Sequence, residues 1–281
     1  MDVAQVRRLV RPLPQPAKDR VKRWVFRASV RPTDVFLVGH PKSGNTWLAY
    51  MLGIVVRRGD REGRITMANV GETVPTVHGD DSKVFQHRRL PNPRIFRNER
   101  PTNPQLYPRA VYLVRDPRAT LVSYYHHYCA KNEDRQTELD TFVAEYLHEG
   151  HFRDYHVGLR RWDTQVAEWL WRAGREPVMI VRYEDLHEDR RSTLDKILGF
   201  CRLSFPSEVV EAAVERGSFD AMRRDEEQHG AESYPWEPGR GPRFLRKGRV
   251  DGWREELSPE SARAIEQEMG PTMEALGYRR A

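Results

Sequence analysis

Three short apolar runs, each followed by polar residues and then by a helical pattern, are the clearest feature of the chain. The runs are Val35–Val38, Val111–Val114 and Val178–Val181. Their β-branched and aromatic residues, without alternation, are typical of strands buried on both faces. The helical patterns cover Thr46–Val56, Pro117 to about Tyr128, and a segment that includes Leu194–Leu198. Buried strands that alternate with helices predict a single α/β domain with a central parallel sheet flanked by helices.

Further patterns complete the predicted domain. We expect helices at about Leu139–His148, at Gly158–Arg172, and at Ser258–Leu276 with a break near Gly270-Pro271. The segment Asp225–Asp251 is rich in proline, glycine and arginine, which favours a long irregular segment that is either functional or disordered. The sequence therefore predicts a basic N-terminal arm at residues 1–31 and one domain at residues 32–281.

The predicted arm carries many lysines and arginines with apolar residues between them, and three prolines interrupt it. We expect one short helix at about Lys18–Ala28, and contact of the arm with a membrane surface remains open. No apolar run in the arm reaches the length of a signal peptide or a transmembrane helix. With only two cysteines, Cys129 and Cys201, a disulfide framework or a zinc cluster is not expected. A reducing, cytoplasmic location follows from these features.

The chain has 47 Lys and Arg against 41 Asp and Glu, a formal net charge of +6. This excess favours an anionic partner such as a nucleotide. A nucleic acid is not the expected partner, because the basic residues are spread along the chain and no groove-reading module is present.

The first predicted strand ends in the segment Gly39-His-Pro-Lys-Ser-Gly-Asn-Thr-Trp47, which leads into a helix. Backbone N–H groups at a helix start, with the helix dipole, form an anion site. Gly39 and Gly44 allow the backbone to approach the ligand closely, and Lys42 adds a positive charge. The segment therefore predicts a phosphate-binding loop at the carboxyl edge of the sheet, where ligands bind in such folds.

The spacing of Gly39, Gly44 and Thr46 is that of the kinase pattern G-x-x-x-x-G-K-[ST], and predicts an architecture like that of P-loop nucleotide kinases. Asn45, however, stands where a kinase has its lysine, and the lysine has moved to Lys42. This counts against the alternative function, an ATP- and magnesium-dependent small-molecule or nucleoside kinase. For that alternative, Asp116 and Asp185 are the candidate magnesium ligands.

The loop resembles the 5′-phosphosulfate loop of sulfotransferases that use 3′-phosphoadenylyl sulfate (PAPS), whose cytosolic members carry Pro-Lys-Ser-Gly-Thr-Thr-Trp. Val111–Tyr125 is similar to the 3′-phosphate segment of that family, Arg182–Asp185 to its third strand exit, and Phe244–Gly248 to its late Arg-Lys-Gly motif. The resemblance implies sulfo transfer from PAPS, release of 3′,5′-ADP (PAP) and no metal. It implies a donor site built from Lys42, Ser43, Gly44, Asn45, Thr46, Trp47, Arg115, Ser123, Tyr183, Phe219, Met222, Arg246, Lys247 and Gly248.

Within this resemblance, Lys42 is expected to neutralise the leaving oxygen. Arg115, Ser123 and the Arg246–Gly248 motif are expected to hold the 3′-phosphate. Trp47 and Phe219 offer flat faces to adenine.

The expected general base departs from the family pattern. Cytosolic members have a histidine in a Lys-Thr-His segment, and Glu99 occupies that position in Pro93–Pro101. A glutamate can take the proton from the hydroxyl or amino group of the acceptor, and His87 and His78 are the rival candidates for this base.

We expect the segments Ala68–His87, Tyr124–Asp134 and Glu226–Arg243 to line the acceptor pocket. Their polarity favours a hydroxyl, or less readily an amine, of a polar small molecule or a glycan. The sequence leaves the oligomeric state open.

Overall fold

In the computed structural model, which describes residues 14–60, 62–132, 137–150, 159–232 and 243–280, four strands pair in parallel in one sheet. They are β1 (Val35–Gly39), β2 (Ile95–Arg97), β3 (Ala110–Val114) and β4 (Val178–Arg182). Their order in the sheet is β2-β1-β3-β4. All strands run in one direction, so their carboxyl ends lie along one edge. The predicted α/β fold with a central parallel sheet is confirmed.

Eleven α-helices connect and cover the strands within the described residues. They are α1 (Gln15–Ser29), α2 (Asn45–Val56), α3 (Val70–Thr73), α4 (Pro117–Lys131), α5 (Leu139–Glu149), α6 (Trp162–Ala173), α7 (Tyr183–Glu188), α8 (Arg190–Cys201), α9 (Ser207–Arg216), α10 (Phe219–His229) and α11 (Pro259–Ala275). Short 3₁₀ turns lie at Asp81–His87, Pro104–Leu106 and Gly252–Glu255.

Both faces of the sheet are covered by apolar side chains. Phe36 and Tyr112 point into one core, shared with helices α1, α4, α5, α6 and α11. Leu37 and Val111 point into the other core, shared with α2, α8 and α9. Because alternate residues of β1, β3 and β4 face opposite cores, these three strands have no polar position before Arg182 at the end of β4. This explains why they appear in the sequence as continuous apolar runs.

Strand β2 was not predicted, because it has only three residues and one of them is Arg97. The side chain of Arg97 is buried all the same: its Nε donates to the carbonyl of Val74, 3.0 Å away. Its Nη2 lies 2.6 Å from a carboxylate oxygen of Glu232. A charged side chain that is satisfied by distant partners leaves no strand signal in the local sequence.

Two predictions about irregular structure are wrong. Helix α11 continues through Pro271 instead of breaking there. Ile265, Met269 and Met273 are completely buried on one face of α11, and this packing holds both halves of the helix in line. Helix α10 occupies the first part of the segment expected to be irregular, up to His229. The start predicted for α6 at Gly158 lies outside the described residues.

The second half of the predicted N-terminal arm forms α1 and packs on the domain. Phe26 is completely buried, with its ring 5.9 Å from the rings of both Phe36 and Tyr107. Lys22 forms an ion pair of 3.0 Å with Asp80. Residues 1–13 lie outside the described part of the chain. Each of the described helices is too short or too polar to cross a lipid bilayer.

Candidate active site

A cavity of about 460 Å³ opens at the carboxyl edge of the sheet. It brings together segments that are far apart in the sequence. The predicted site residues that line it are Lys42, Gly44, Asn45, Thr46, Trp47, Glu99, Arg115, Ser123, Tyr183, Phe219, Met222, Arg246, Lys247 and Gly248. Ser43 lies buried in the loop behind this surface.

The loop between β1 and α2 has the geometry of an anion site. Lys42 and Gly44 both have positive φ angles, 69° and 100°, and α2 begins at Asn45. A Cβ atom on Gly44 would lie 2.8 Å from the ring of Tyr183, so this position requires glycine. The hydroxyl of Ser43 is buried and has no hydrogen-bond partner among the described residues. A phosphate in the loop would supply the acceptor that this hydroxyl lacks.

Lys42 carries a positive charge that its surroundings destabilise. Burial lowers the pKa of its ammonium group to about 8, and the positive charge of Arg115 acts in the same direction. The negative charge of Glu99 opposes this shift. The ammonium group lies 4.9 Å from the centre of the Phe244 ring. Lys42 is therefore a partly desolvated cation between the loop and the carboxylate of Glu99.

Arg115, which follows β3, joins the loop to the late basic motif. Its guanidinium donates to the carbonyls of Lys42 and Arg249, each at 3.3 Å. It stacks over the ring of Tyr183 at 4.2 Å from the ring centre. Its Nε–H is buried without a partner in the described chain and could donate a hydrogen bond to a phosphate oxygen. Ser123, on α4, lines the same cavity.

The late motif is held by a carboxylate that the sequence interpretation missed. Glu256 accepts a hydrogen bond from Arg246 at 2.6 Å and lies 3.0 Å from the ammonium of Lys247. Burial raises the pKa of Glu256, but hydrogen bonds from His126, Arg246 and Lys247 outweigh it and lower the pKa to about 2. Glu256 therefore stays ionised and orients both basic side chains at the cavity wall.

Gly248, the last residue of this motif, packs against the ring of Phe219. Its φ is 62°, and a Cβ atom there would lie 2.2 Å from the ring of Phe219. The opposite aromatic side chain, Trp47, is fixed by a hydrogen bond of 2.7 Å from its Nε1 to the carbonyl of Gly217. The rings of Trp47 and Tyr183 are 5.2 Å apart. These flat side chains line one region of the cavity and can enclose a planar base.

Glu99 follows β2 and faces the phosphate loop. One oxygen of its carboxylate accepts a hydrogen bond of 3.2 Å from the side chain of Asn45. Its backbone N–H donates to Nδ1 of His78 at 2.9 Å, and its carbonyl accepts from Gln165 at 3.1 Å. Both Glu99 and His78 line the cavity.

His87, the other rival base, does not line the cavity, so its position does not favour it as the base. It lies beside Arg94, which precedes β2 and donates to the carbonyl of His87 at 3.5 Å. Arg94 forms a completely buried ion pair with Asp34, which precedes β1. His87 is thus at the amino end of the parallel strands, whereas Glu99 is at their carboxyl end.

Two further residues, Glu226 and Arg190, support or line the cavity, and no sequence motif marked them. Glu226, on α10, is buried and accepts hydrogen bonds from the backbone N–H groups of Phe244 and Leu245, at 2.6 and 3.0 Å. It thereby fixes the start of the late motif. Arg190, at the start of α8, lines the cavity, and its Nε is without a partner among the described residues. Glu226 acts on residues that lie 18 and 19 positions away in the sequence, a separation that local patterns do not cover.

The carboxylates that a kinase would need for magnesium are placed elsewhere. Asp116 caps α4 and is paired with Arg118, whose Nη2 lies 2.6 Å from it. Arg118 also pairs with Glu266, so Asp116 belongs to a buried structural network. Asp185 is exposed on α7. In the described ranges, no group of three His, Cys, Asp or Glu side chains is arranged to hold a metal ion.

Comparison with known proteins agrees with this geometry. The sulfotransferase domain family matches residues 32–277. Bovine sulfotransferase 1A1 is 30% identical over 207 residues, which cover 69% of this chain and 67% of the relative. Rabbit amine sulfotransferase is 27% identical over 251 residues, or 85% of this chain and 80% of the relative. The crystal structure of a mouse sulfotransferase complexed with PAP superposes with a TM-score of 0.65 at 22% identity, and the match covers 89% of this chain and 87% of that chain. The predicted sulfotransferase function and PAPS as donor are confirmed by this membership, and the chain belongs to the sulfotransferase family.

Proposed function

We propose that this sulfotransferase modifies a hydroxyl or amino group of a polar small molecule, with Lys42 acting on the leaving phosphate and Glu99 as the general base. The observation that supports this most directly is the placement of both side chains on one cavity, where the charge of Glu99 acts on the pKa of Lys42. A cation and a carboxylate on either side of a reacting group suit a transfer from an anionic leaving group to a protonated nucleophile.

The donor half of the proposed mechanism rests on the phosphate loop. Bound PAPS supplies a sulfo group attached to an anionic phosphate leaving group. The backbone N–H groups at Gly44–Thr46 and the Ser43 hydroxyl can donate to the 5′-phosphate. Arg115 and Arg246 can donate to the 3′-phosphate, and Trp47 and Phe219 can enclose the adenine.

Lys42 has a specific electrostatic role in this scheme. Its ammonium is partly desolvated, so its charge is screened less than that of a surface lysine. Placed beside the bridging oxygen, it stabilises the negative charge that develops there as the bond to sulfur breaks. The positive φ of Lys42 directs its side chain from a tight turn, a conformation that functional sites often retain at a cost in stability.

Glu99 takes the proton of the acceptor group. Its carboxylate is held at the cavity wall by a hydrogen bond from Asn45, and its main chain is fixed by His78 and Gln165. This rigid attachment places the carboxylate for proton transfer as the nucleophile attacks sulfur in line with the leaving oxygen.

The wall on the side of Glu99 indicates the class of acceptor. Thr76, His78, Arg97 and Glu232 line it, and the Arg97–Glu232 ion pair spans 2.6 Å. Polar side chains at this wall favour an acceptor with several hydroxyl or amino groups, and a sugar hydroxyl of a glycan fits the same chemistry. Phe244 and Leu245 add apolar surface on the side of the late motif.

An acceptor screen with sulfur-labelled PAPS tests the proposed function. We expect label transfer to polyhydroxylated or amino acceptors in the presence of a metal chelator, and tight binding of 3′,5′-ADP under the same conditions. Parallel reactions with γ-labelled ATP and Mg²⁺ serve as the control for phosphoryl transfer. Transfer restricted to flat apolar phenols or sterols would contradict the acceptor class.

A further inference from the structure

We propose that Asn45 and His78 are positioning residues that hold the carboxylate of Glu99 from both sides, and that Asn45 thereby couples the base to the phosphate loop. This inference rests on the proposed role of Glu99 as the base. It adds two side chains whose function is to orient that base, one of them located in the donor site itself.

The side-chain amide of Asn45 donates hydrogen bonds to two acceptors. Its Nδ2 donates to a carboxylate oxygen (Oε1) of Glu99 at 3.2 Å and to the carbonyl of His40 at 3.3 Å. Both neighbours are acceptors only, so the amide nitrogen and not the amide oxygen must face them. On its other side the amide is confined by Gly39, where a Cβ atom would lie 2.6 Å from Oδ1 of Asn45. The amide therefore has one orientation, and it fixes one oxygen of Glu99.

His78 faces the second oxygen. The backbone N–H of Glu99 donates to Nδ1 of His78 at 2.9 Å, so the proton of the neutral ring resides on Nε2. That Nε2 lies 3.6 Å from Oε2 of Glu99. Burial and the charges of Arg97 and Arg100 lower the pKa of His78 to about 4. Near neutral pH the ring is therefore uncharged and keeps its proton on Nε2, 3.6 Å from the carboxylate.

These two donors have a shared consequence. A carboxylate that accepts a hydrogen bond from Asn45 on one oxygen, and has Nε2 of His78 3.6 Å from the other, is restricted in its orientation. Each oxygen keeps a further lone pair that can accept the proton of the acceptor group. Because Asn45 is the first residue of α2, the side chain that holds Glu99 begins in the same turn that cradles the 5′-phosphate. Donor position and base position are thus linked through one side chain.

A double-mutant cycle with Asn45→Ala and Glu99→Gln tests the role of Asn45. In the wild-type background, we expect Asn45→Ala to lower kcat about tenfold, because the carboxylate loses its fixed orientation. The Kd for 3′,5′-ADP should change less than about twofold, since the backbone N–H groups of the loop remain. In the Glu99→Gln background, Asn45→Ala should cause no further loss of kcat. Asn69→Ala, which removes an amide outside the cavity, is the matched control.

Two substitutions of His78 separate its two ring nitrogens. His78→Asn can retain the acceptor for the Glu99 N–H but loses the donor at the Nε2 position, whereas His78→Gln can retain a donor there. We expect His78→Asn to lower kcat more than His78→Gln, with 3′,5′-ADP affinity preserved in both. Nitrogen NMR of the wild-type ring should show the Nε2–H tautomer at neutral pH.

The outcomes distinguish this inference from the proposed function. If Glu99→Gln itself retains near-normal kcat, the assignment of the base fails. If Glu99→Gln is severely impaired but Asn45→Ala lowers kcat equally in both backgrounds, or weakens 3′,5′-ADP binding by the same factor as kcat, Asn45 serves the donor loop alone and the positioning role is overturned. Equal kcat for His78→Asn and His78→Gln would remove His78 from the scheme.

Discussion

The two halves of the cavity are built in different ways. The donor half is organised around one continuous segment, Pro41–Trp47, whose backbone turns and helix start define the anion site, and further short motifs such as Arg246–Gly248 complete it. The acceptor half is formed by side chains from separate segments, including His78, Glu99 and Glu232. A site made by a local backbone conformation leaves a recognisable motif, because few sequences adopt it. A site made by distant side chains leaves none, since each residue is ordinary in its own local context.

The halves also differ in charge. Lys42, Arg115 and Arg246 make the donor half cationic, whereas in the acceptor half Glu232 is paired with Arg97 and Glu99 supplies a carboxylate. In the proposed mechanism, the cavity therefore separates a cation for the leaving group from a carboxylate for the incoming proton. Substitutions on each side should affect different kinetic constants, and the following predictions use that difference.

The largest effect is expected from the donor half. Lys42→Ala should lower kcat about 10³-fold, because the charge that stabilises the leaving oxygen is lost. The Kd for 3′,5′-ADP should rise only a few-fold, since the backbone sites remain. Isothermal titration and single-turnover transfer from labelled PAPS measure the two quantities, with the exposed Lys196→Ala as control. An equal loss in both quantities would make Lys42 a binding residue only.

A somewhat smaller effect is expected from the acceptor half. Glu99→Gln preserves size and should lower kcat about 10²-fold, because the amide cannot accept the acceptor proton. Binding of 3′,5′-ADP should be unchanged. The same single-turnover assay applies, with the exposed Glu208→Gln as control. Activity close to that of the wild type would exclude Glu99 as the base. The proposed division of roles between Lys42 and Glu99 would then fail.

A third prediction concerns the contact between Gly248, in the late motif, and the ring of Phe219. Gly248→Ala should weaken 3′,5′-ADP binding about tenfold, because the residue has a positive φ and its new Cβ would collide with Phe219. The rate of the bound complex should change less. Gly199→Ala is the matched control, since a Cβ at that position of α8 meets nothing within 4 Å. Unchanged nucleotide affinity in Gly248→Ala would show that the late motif does not shape the donor site.

The smallest expected effect is a shift in pH dependence. The pKa of Lys42 is lowered to about 8 in the free enzyme by burial, so its cation is present below that pH and is lost above it. kcat/KM should therefore fall as pH rises through about 8. The corresponding limb for kcat should lie at higher pH, because a bound phosphate favours the ammonium form. Lys42→Arg should abolish the alkaline limb, whatever its absolute rate; persistence of the limb would assign it to another group.

The contrast between the halves also explains which predictions were reliable. The strands β1, β3 and β4 and the helix α2 were predicted to within about one residue, because burial on both faces produces continuous apolar runs. The edge strand β2, with Arg97 in a run of three residues, gave no such signal. The same holds for the site. Lys42, Arg115 and Gly248 were found through local motifs, whereas Glu226 and Glu256 act through contacts with a loop that no local pattern connects to them.

The sequence by itself determined the parallel α/β sheet, because burial on both faces produces continuous apolar runs, and the resemblance of its motifs to one family indicated the loop and the order of the donor segments. Only the tertiary structure separated the positions of the histidine candidates: it placed His78 beside Glu99 and His87 at the opposite end of the strands. It also showed that Asn45 contacts Glu99, although 54 positions separate them. Contacts of this kind arise when the sheet brings the ends of distant strands to one edge, and the position of a residue along the chain does not reveal them.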